Sequence, residues 1–136
     1  VNHLSHSCSS NQIYKGILTD EAKASYLSKT YVDKQAQKTD GYQLSKGILL
    51  SKDAYFHSKP ELKIYADDVK CSHGSTIGPF DEEEIFYLRT RGLNKNTARA
   101  LLIRAFCYDF LRSIGEDSYV KEVNELINEW LLEYLH

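Results

Sequence analysis

Cys71 and His73 stand two apart in the stretch 64–78, IYADDVKCSHGSTIG. On a strand, that spacing puts both side chains on one face. A thiolate and an imidazole are soft-to-borderline donors suited to iron, zinc or copper. Two ligands do not complete a site, because structural zinc takes about four and catalytic zinc about three plus a water. No C-x-x-C or H-x-x-x-H stands nearby, so a complete site needs donors from another chain. The alternative is a buried structural cysteine beside a hydrogen-bonded turn histidine. Asp67 and Asp68 could serve as a general acid and base. Adjacent strand residues point to opposite faces, however, so they do not flank one substrate bond unless a bulge intervenes. His3, His6 and Cys8 make a second metal-like grouping at the start of the chain, where a grouping of this kind is ordinarily without function. There is no G-x-S-x-G elbow and no glycine-rich phosphate loop.

The elements that must carry these residues change character at the same stretch. Before it, apolar and polar residues alternate, as in 12–17, 25–32 (SYLSKTYV), 43–50 (QLSKGILL) and 62–69 (LKIYADDV). This pattern predicts short strands, with Pro60 helping to fix where the last one begins. Lys15-Gly16-Ile17-Leu18 recurs as Lys46-Gly47-Ile48-Leu49, 31 positions later. A second echo joins Thr39-Asp40-Gly41 to Ser72-His73-Gly74, 33 later, with Ser10-Asn11 about 30 before the first. A period near 30 built of strands fits the coils of a parallel β-helix. An antiparallel sandwich is the competing architecture, but Asp40-Gly41 is its lone hairpin signal.

After the stretch, apolar residues recur every three or four positions. Asp81 with Glu84 resembles a capping box, Ile85, Phe86 and Leu88 supply a buried face, and Gly92 suits a left-handed C′ position. Asn94 caps a second helix, with Ala98, Leu101, Leu102, Ala105, Tyr108 and Leu111 on its apolar stripe and Gly115 at its end. Asp117 or Ser118 starts a third, with Val120, Val123, Leu126, Ile127, Trp130 and Tyr134 on one stripe and Glu122, Glu125, Glu129 and Glu133 opposite. The domain reading is a strand stack over 1–79 and a three-helix unit over 80–136.

Composition sets the outer limits. The 136 residues carry a net charge of −2, so no global field recruits nucleic acid or membrane. No run approaches the roughly 20 apolar residues of a membrane span, and no secretory signal opens the chain. Cys8, Cys71 and Cys107 are odd in number and far apart, which predicts a reducing compartment. Position 1 is Val and the chain lacks Met, which suggests a piece of a longer protein. Residues 116–136 hold one Lys against six acids, an acidic surface that disfavours DNA and suits a basic protein partner. The helix–Gly–helix at 81–112 invites a DNA-binding reading through Lys95, Asn96 and Arg99. Phosphate repulsion from the acids at 81–84 and from the tail opposes it.

Several strings, taken in order, carry a family resemblance. They are Ser10-Asn11-Gln12 with Tyr14-Lys15-Gly16, Gln37-Lys38-Thr39-Asp40, Leu49-Leu50-Ser51, Pro60 to Gly74 (PELKIYADDVKCSHG), and Phe86-Tyr87-Leu88-Arg89 with Arg91-Gly92. Together they resemble the SufB/SufD family of iron–sulfur cluster assembly proteins, over about residues 9–112. The string KCSHG is similar to the SufD branch. The resemblance implies the C-terminal third of a longer protein, with coils of a right-handed parallel β-helix followed by a small helical domain. It implies a SufD-like, non-enzymatic subunit of a SufBCD scaffold that pairs with a SufB-like subunit through the β-helix. The helical domain would dock the SufC ATPase, which hydrolyses ATP.

The family's functional histidine falls on His73, acting with a cysteine of the SufB-like partner. Cys71 is a weaker companion with no family role carried onto it. Phe86, Tyr87, Arg89 and Arg91 are the expected SufC-facing residues. No cofactor is expected to bind tightly to this piece alone, and a cluster would be held transiently in the full complex. The location implied is the bacterial cytoplasm, or a plastid in a eukaryote. Cutting a β-helix exposes a strand edge, so the first strands are expected to pair with a second copy of the chain or to be mobile. Two other functions stay open from the residues alone, a polysaccharide-active β-helix and a helical DNA-binding module.

Overall fold

The computed structural model describes residues 1–114 and 117–135. Six strands are followed by three helices: β1 (Asn2–His3), β2 (Ser9–Leu18), β3 (Lys23–Val32), β4 (Thr39–Leu49), β5 (Tyr55–Ile64), β6 (Val69–Gly78), α1 (Glu82–Thr90), α2 (Lys95–Ile114) and α3 (Asp117–Tyr134). Two compact units divide the chain, Val1–Pro79 and Phe80–His136.

In the first unit the chain alternates between two three-stranded sheets, one ordered β1-β3-β5 and the other β2-β4-β6. Every pairing is parallel, which excludes the antiparallel sandwich. Lys15 pairs with Lys46 and Gly16 with Gly47, so the 31-residue echo is the register of β2 on β4. The second echo is not a register. Thr39 pairs with Val69, Asp40 with Lys70 and Gly41 with Cys71, while Ser10 lies beside Gly41. The hydroxyl–polar pattern recurs at strand positions that do not stack on one another.

Gly16 and Gly47 recur for a packing reason. The ring of Phe56, on β5 of the other sheet, occupies the space a Gly47 side chain would fill and lies at contact distance from that of Gly16. A Cβ built on Gly47 would collide with Phe56 Cδ1, and one on Gly16 would lie 3.4 Å from Phe56 Cε1. Phe56 is buried with Leu18 and Ala54, and Ala24, Tyr26, Leu49 and Ile77 pack around them. A second apolar cluster holds Val32, Ala36 and Ala66 with Val69 and Cys71. Tyr14 stacks on Tyr26 with ring centroids 4.4 Å apart.

The expected strand 62–69 is corrected. β5 ends at Ile64, the backbone bends, and β6 begins at Val69. Pro60 sits inside β5 and does not precede it. It is tolerated because β5 has a strand on one side only, so a missing N–H can face the open rim. On the outward face of this sheet Glu61 lies 3.5 Å from Lys59 and 3.6 Å from Lys29. Hydrogen bonding to Lys59 and the nearby Lys29 charge hold its carboxyl below the ordinary carboxylate range. The stabilisation is present above the unfolded-state value and is lost as the pH falls through the lower folded one. At an exposed pair it is small.

In the helical unit, Asp81 accepts from Glu83 N at 2.9 Å and caps α1. The end of α1 is a Schellman motif: Leu93 N donates to Leu88 O, Gly92 N donates to Arg89 O, and Gly92 sits at φ 91°. Asn94 caps α2 through Thr97 N at 2.9 Å. The apolar stripes differ from expectation. Phe86 is 67% exposed, and Ile85 is the buried residue of α1. On α2 the buried residues are Ala98, Ala100, Ile103 and Leu111, whereas Leu101, Ala105 and Tyr108 are exposed. On α3 Leu131 is buried and Leu126 is 58% exposed. The run Leu101-Leu102-Ile103 is apolar on adjacent sides of the helix, so periodicity alone admits two phases. The expected terminator Gly115 lies outside the described residues. Arg104 ties α2 to α3 through Asn128 Oδ1 at 3.0 and 3.2 Å.

Gly47→Ala is expected to destabilise the strand unit by about 1–3 kcal/mol through overpacking against Phe56. Gly78→Ala meets nothing within 4 Å and should be close to neutral. Urea unfolding of the two variants checks the contrast, and Phe56→Leu should absorb part of the Gly47→Ala cost.

Candidate functional site

The site is built on β6. Ten residues of β6 lie along β4, from Thr39↔Val69 to Ile48↔Gly78, so the backbone at Cys71 and His73 is held by a continuous ladder. Strand alternation gives Val69, Cys71, His73, Ser75 and Ile77 the same face. That face is the interior one, because Cys71 and Val69 join the Val32–Ala36–Ala66 cluster. Cys71 Sγ comes within 3.2 Å of where a Gly41 Cβ would stand, so the glycine makes room for the thiol.

His73 shares that face and is nevertheless exposed. Its sheet ends at β6, so nothing within the sheet unit stacks beyond it. Cys71 escapes this fate by leaning over Gly41, whereas His73 has Gln43 beside it. Two residues at the same spacing therefore take different roles. Cys71 is a packed, half-buried thiol, and His73 presents an imidazole at an open rim.

Sequence reasoning missed the layer behind His73. Gln12, Gln43 and His73 occupy one rung across β2, β4 and β6. Thr30, from the opposite sheet, is buried and accepts from Gln43 Nε2 at 2.7 Å and from Gln12 Nε2 at 3.2 Å. The signal was present, because Gln12 and Gln43 stand three residues before the two Lys-Gly-Ile-Leu strings and share their 31-residue spacing.

The other candidates do not assemble. Asp67 and Asp68 lie exposed in the bend between β5 and β6, where Asp68 N donates to Gln37 Oε1 at 2.9 Å. His3 is buried with Nε2 at 2.9 Å from Ser10 Oγ, while His6 Nδ1 is paired with its neighbour Ser7. Among the described residues no group of three or more His, Cys, Asp and Glu could hold a metal ion. For DNA readout, Asn96 Nδ2 is engaged with Leu135 O at 3.3 Å and Arg99 is half-buried. No described helix is long and apolar enough to cross a membrane.

On α1, Phe86, Tyr87 and Arg89 are exposed, as is Arg91 at its C-cap. Arg91 folds over the Tyr87 ring, 5.2 Å from its centroid, and donates from Nη2 to Tyr87 Oη at 3.1 Å. This pair presents a cationic, aromatic corner at the C-terminal end of α1, opposite its acidic first turn.

Residues 1–106 match the family described as SUF system FeS cluster assembly, SufBD core domain. The chain is 38% identical over 131 residues to the iron–sulfur cluster assembly protein SufD of Escherichia coli, covering 96% of this chain and 31% of that protein. It is 47% identical over 104 residues to an iron–sulfur cluster assembly SufBD family protein of Synechocystis, covering 76% of this chain and 23% of that one. It is 40% identical over 98 residues to the chloroplastic protein ABCI7 of Arabidopsis thaliana, covering 71% and 21%. The chain thus spans about a third or less of the length of these relatives.

His73→Ala is expected to cost about 1–3 kcal/mol where the ring pairs with a buried acceptor behind it, and under about 0.5 kcal/mol where it pairs with solvent alone. Cys71→Ala removes a packed sulfur and should cost about 1 kcal/mol. Urea midpoints of the two variants measure the difference.

Proposed function

The chain belongs to the SufBD family of iron–sulfur cluster assembly proteins, and from that premise we propose that it is the C-terminal portion of a SufD-like scaffold subunit. Its sheets are then two faces of the last coils of a right-handed parallel β-helix. The alternation of strands between two parallel sheets, with a register near 31, supports this architecture.

The observation that carries the functional reading is His73, an imidazole exposed on the interior face of a sheet's final strand. One nitrogen donor cannot close a cluster or metal site, so its companions come from a second subunit of SufB type. The cluster is the cargo of the complex and not a resident group of this chain. Imidazole is a competent ligand for iron–sulfur clusters, as in Rieske centres. Cys71, packed beside Gly41, plays a supporting part at most. The helical unit docks a SufC-type ATPase through Phe86, Tyr87, Arg89 and Arg91, whose exposure and mixed aromatic–cationic chemistry suit an interface. ATP hydrolysis then belongs to that partner, and this chain works in a cytoplasmic or plastid compartment without catalysis of its own. In isolation a second copy of the chain can occupy the open rim and give a homodimer.

In the full-length protein, His73→Ala is expected to lower cluster assembly while leaving the ATPase contact intact. Normal cluster yield with that variant would remove His73 from the mechanism. Titration calorimetry of the chain with the ATPase should show binding that weakens about tenfold or more in Arg91→Ala. Unchanged affinity sends the docking surface elsewhere.

A further inference from the structure

Gln43 is buried to 1% exposure, deep in the sheet unit. Its Nε2 is anchored on Thr30 Oγ1 at 2.7 Å, and its Oε1 is buried with no hydrogen-bond partner in the structure. Buried amide oxygens are ordinarily paired, and one left alone is a substantial cost. In the structure Thr30 Oγ1 takes the amide nitrogen, and the oxygen is the end left over. Two side chains share the rung with Gln43. Gln12, on one side, commits its own amide nitrogen to the same Thr30 oxygen at 3.2 Å. His73, on the other side, is in register one strand away and on the same face. Parallel strands run about 5 Å apart, which brings an imidazole within reach of a glutamine amide.

We propose that Gln43 is a positioning residue for His73: its Oε1 accepts the N–H of one imidazole nitrogen, so that the other nitrogen carries its lone pair toward the open rim. Which ring nitrogen bears the proton is set by the hydrogen bond it makes. Ligating histidines are commonly oriented in this manner by a carbonyl or carboxylate behind them. The purpose of the contact rests on the reading of His73 as a cluster ligand, while the contact itself does not. Thr30, one hydrogen bond behind Gln43, anchors the amide nitrogen and so links the opposite sheet to the rim.

The test is long-range proton–nitrogen NMR of the full chain labelled in its histidines, at a pH of about 8, above the ordinary imidazole range. His73 is identified by the signals that vanish in His73→Ala, and exposed His57 serves as the unconstrained reference. Gln43→Met keeps the length of the side chain and removes the acceptor. It is expected to shift the His73 tautomer ratio about fivefold, toward that of His57. Gln43→Glu, which retains an acceptor, should hold His73 away from the reference ratio. An unchanged ratio in Gln43→Met overturns the proposal. Thr30→Val removes the anchor that Gln43 and Gln12 share and should move the ratio in the same direction. It gives the same reading if Gln43→Met does not fold, and no shift there overturns the proposal equally. A tautomer that responds to Gln43, combined with normal assembly by His73→Ala, would sink the cluster-ligand reading and leave the positioning intact.

Discussion

The ring of Phe56 packs against the bare backbone of Gly47, with Gly16 stacked beside it, and the register of the strands is tied to that contact. Gly16 and Gly47 are neighbours because β2 and β4 pair 31 residues apart, and their bare backbones admit an aromatic ring from the opposite sheet. A slip of one residue would turn every side chain of a strand to the other face. It would put Lys46 or Ile48 against Phe56 in place of Gly47. The close approach therefore selects one register, and that register carries Gln12, Gln43 and His73 onto a common rung.

This dependence explains what could be read from the chain beforehand. The Lys-Gly-Ile-Leu echo was legible because a packing need repeats with it. The looser echo of hydroxyl, polar residue and glycine was misleading, since no contact requires those residues to stack and the pairings run at offsets from 29 to 32. Gln43 passed unnoticed for a related reason. A polar residue in alternating sequence suggests an outward face, and only the partner Thr30, 13 residues earlier, shows that it points inward. In the helices, Leu101, Leu102 and Ile103 offered two faces, and packing chose the one with Ile103. The caps at Asp81, Gly92 and Asn94 were readable because each depends on local backbone chemistry.

Cys71 and His73 illustrate how little residue type alone decides. Spacing placed them on one face, and both are capable donors. Their different exposure comes from the strand beside them: a glycine at 41 gives the thiol a recess, and a glutamine at 43 gives the imidazole none. The edge position of β6 then leaves His73 open while its backbone stays fixed. An exposed side chain on a rigid ladder suits a group that must meet a partner without rearranging. The edge of the sheet thus explains why the imidazole, and not the thiol, is the donor left accessible on this face.

The proline in β5 makes the two rims of the strand unit unequal. A ladder of hydrogen bonds growing outward from β5 would meet a gap where Pro60 has no donor to offer. The ten residues of β6 contain no such gap. Backbone-to-backbone extension of the unit is thus blocked on one side and permitted on the other, and the permitted side is the one whose inner face ends in an imidazole.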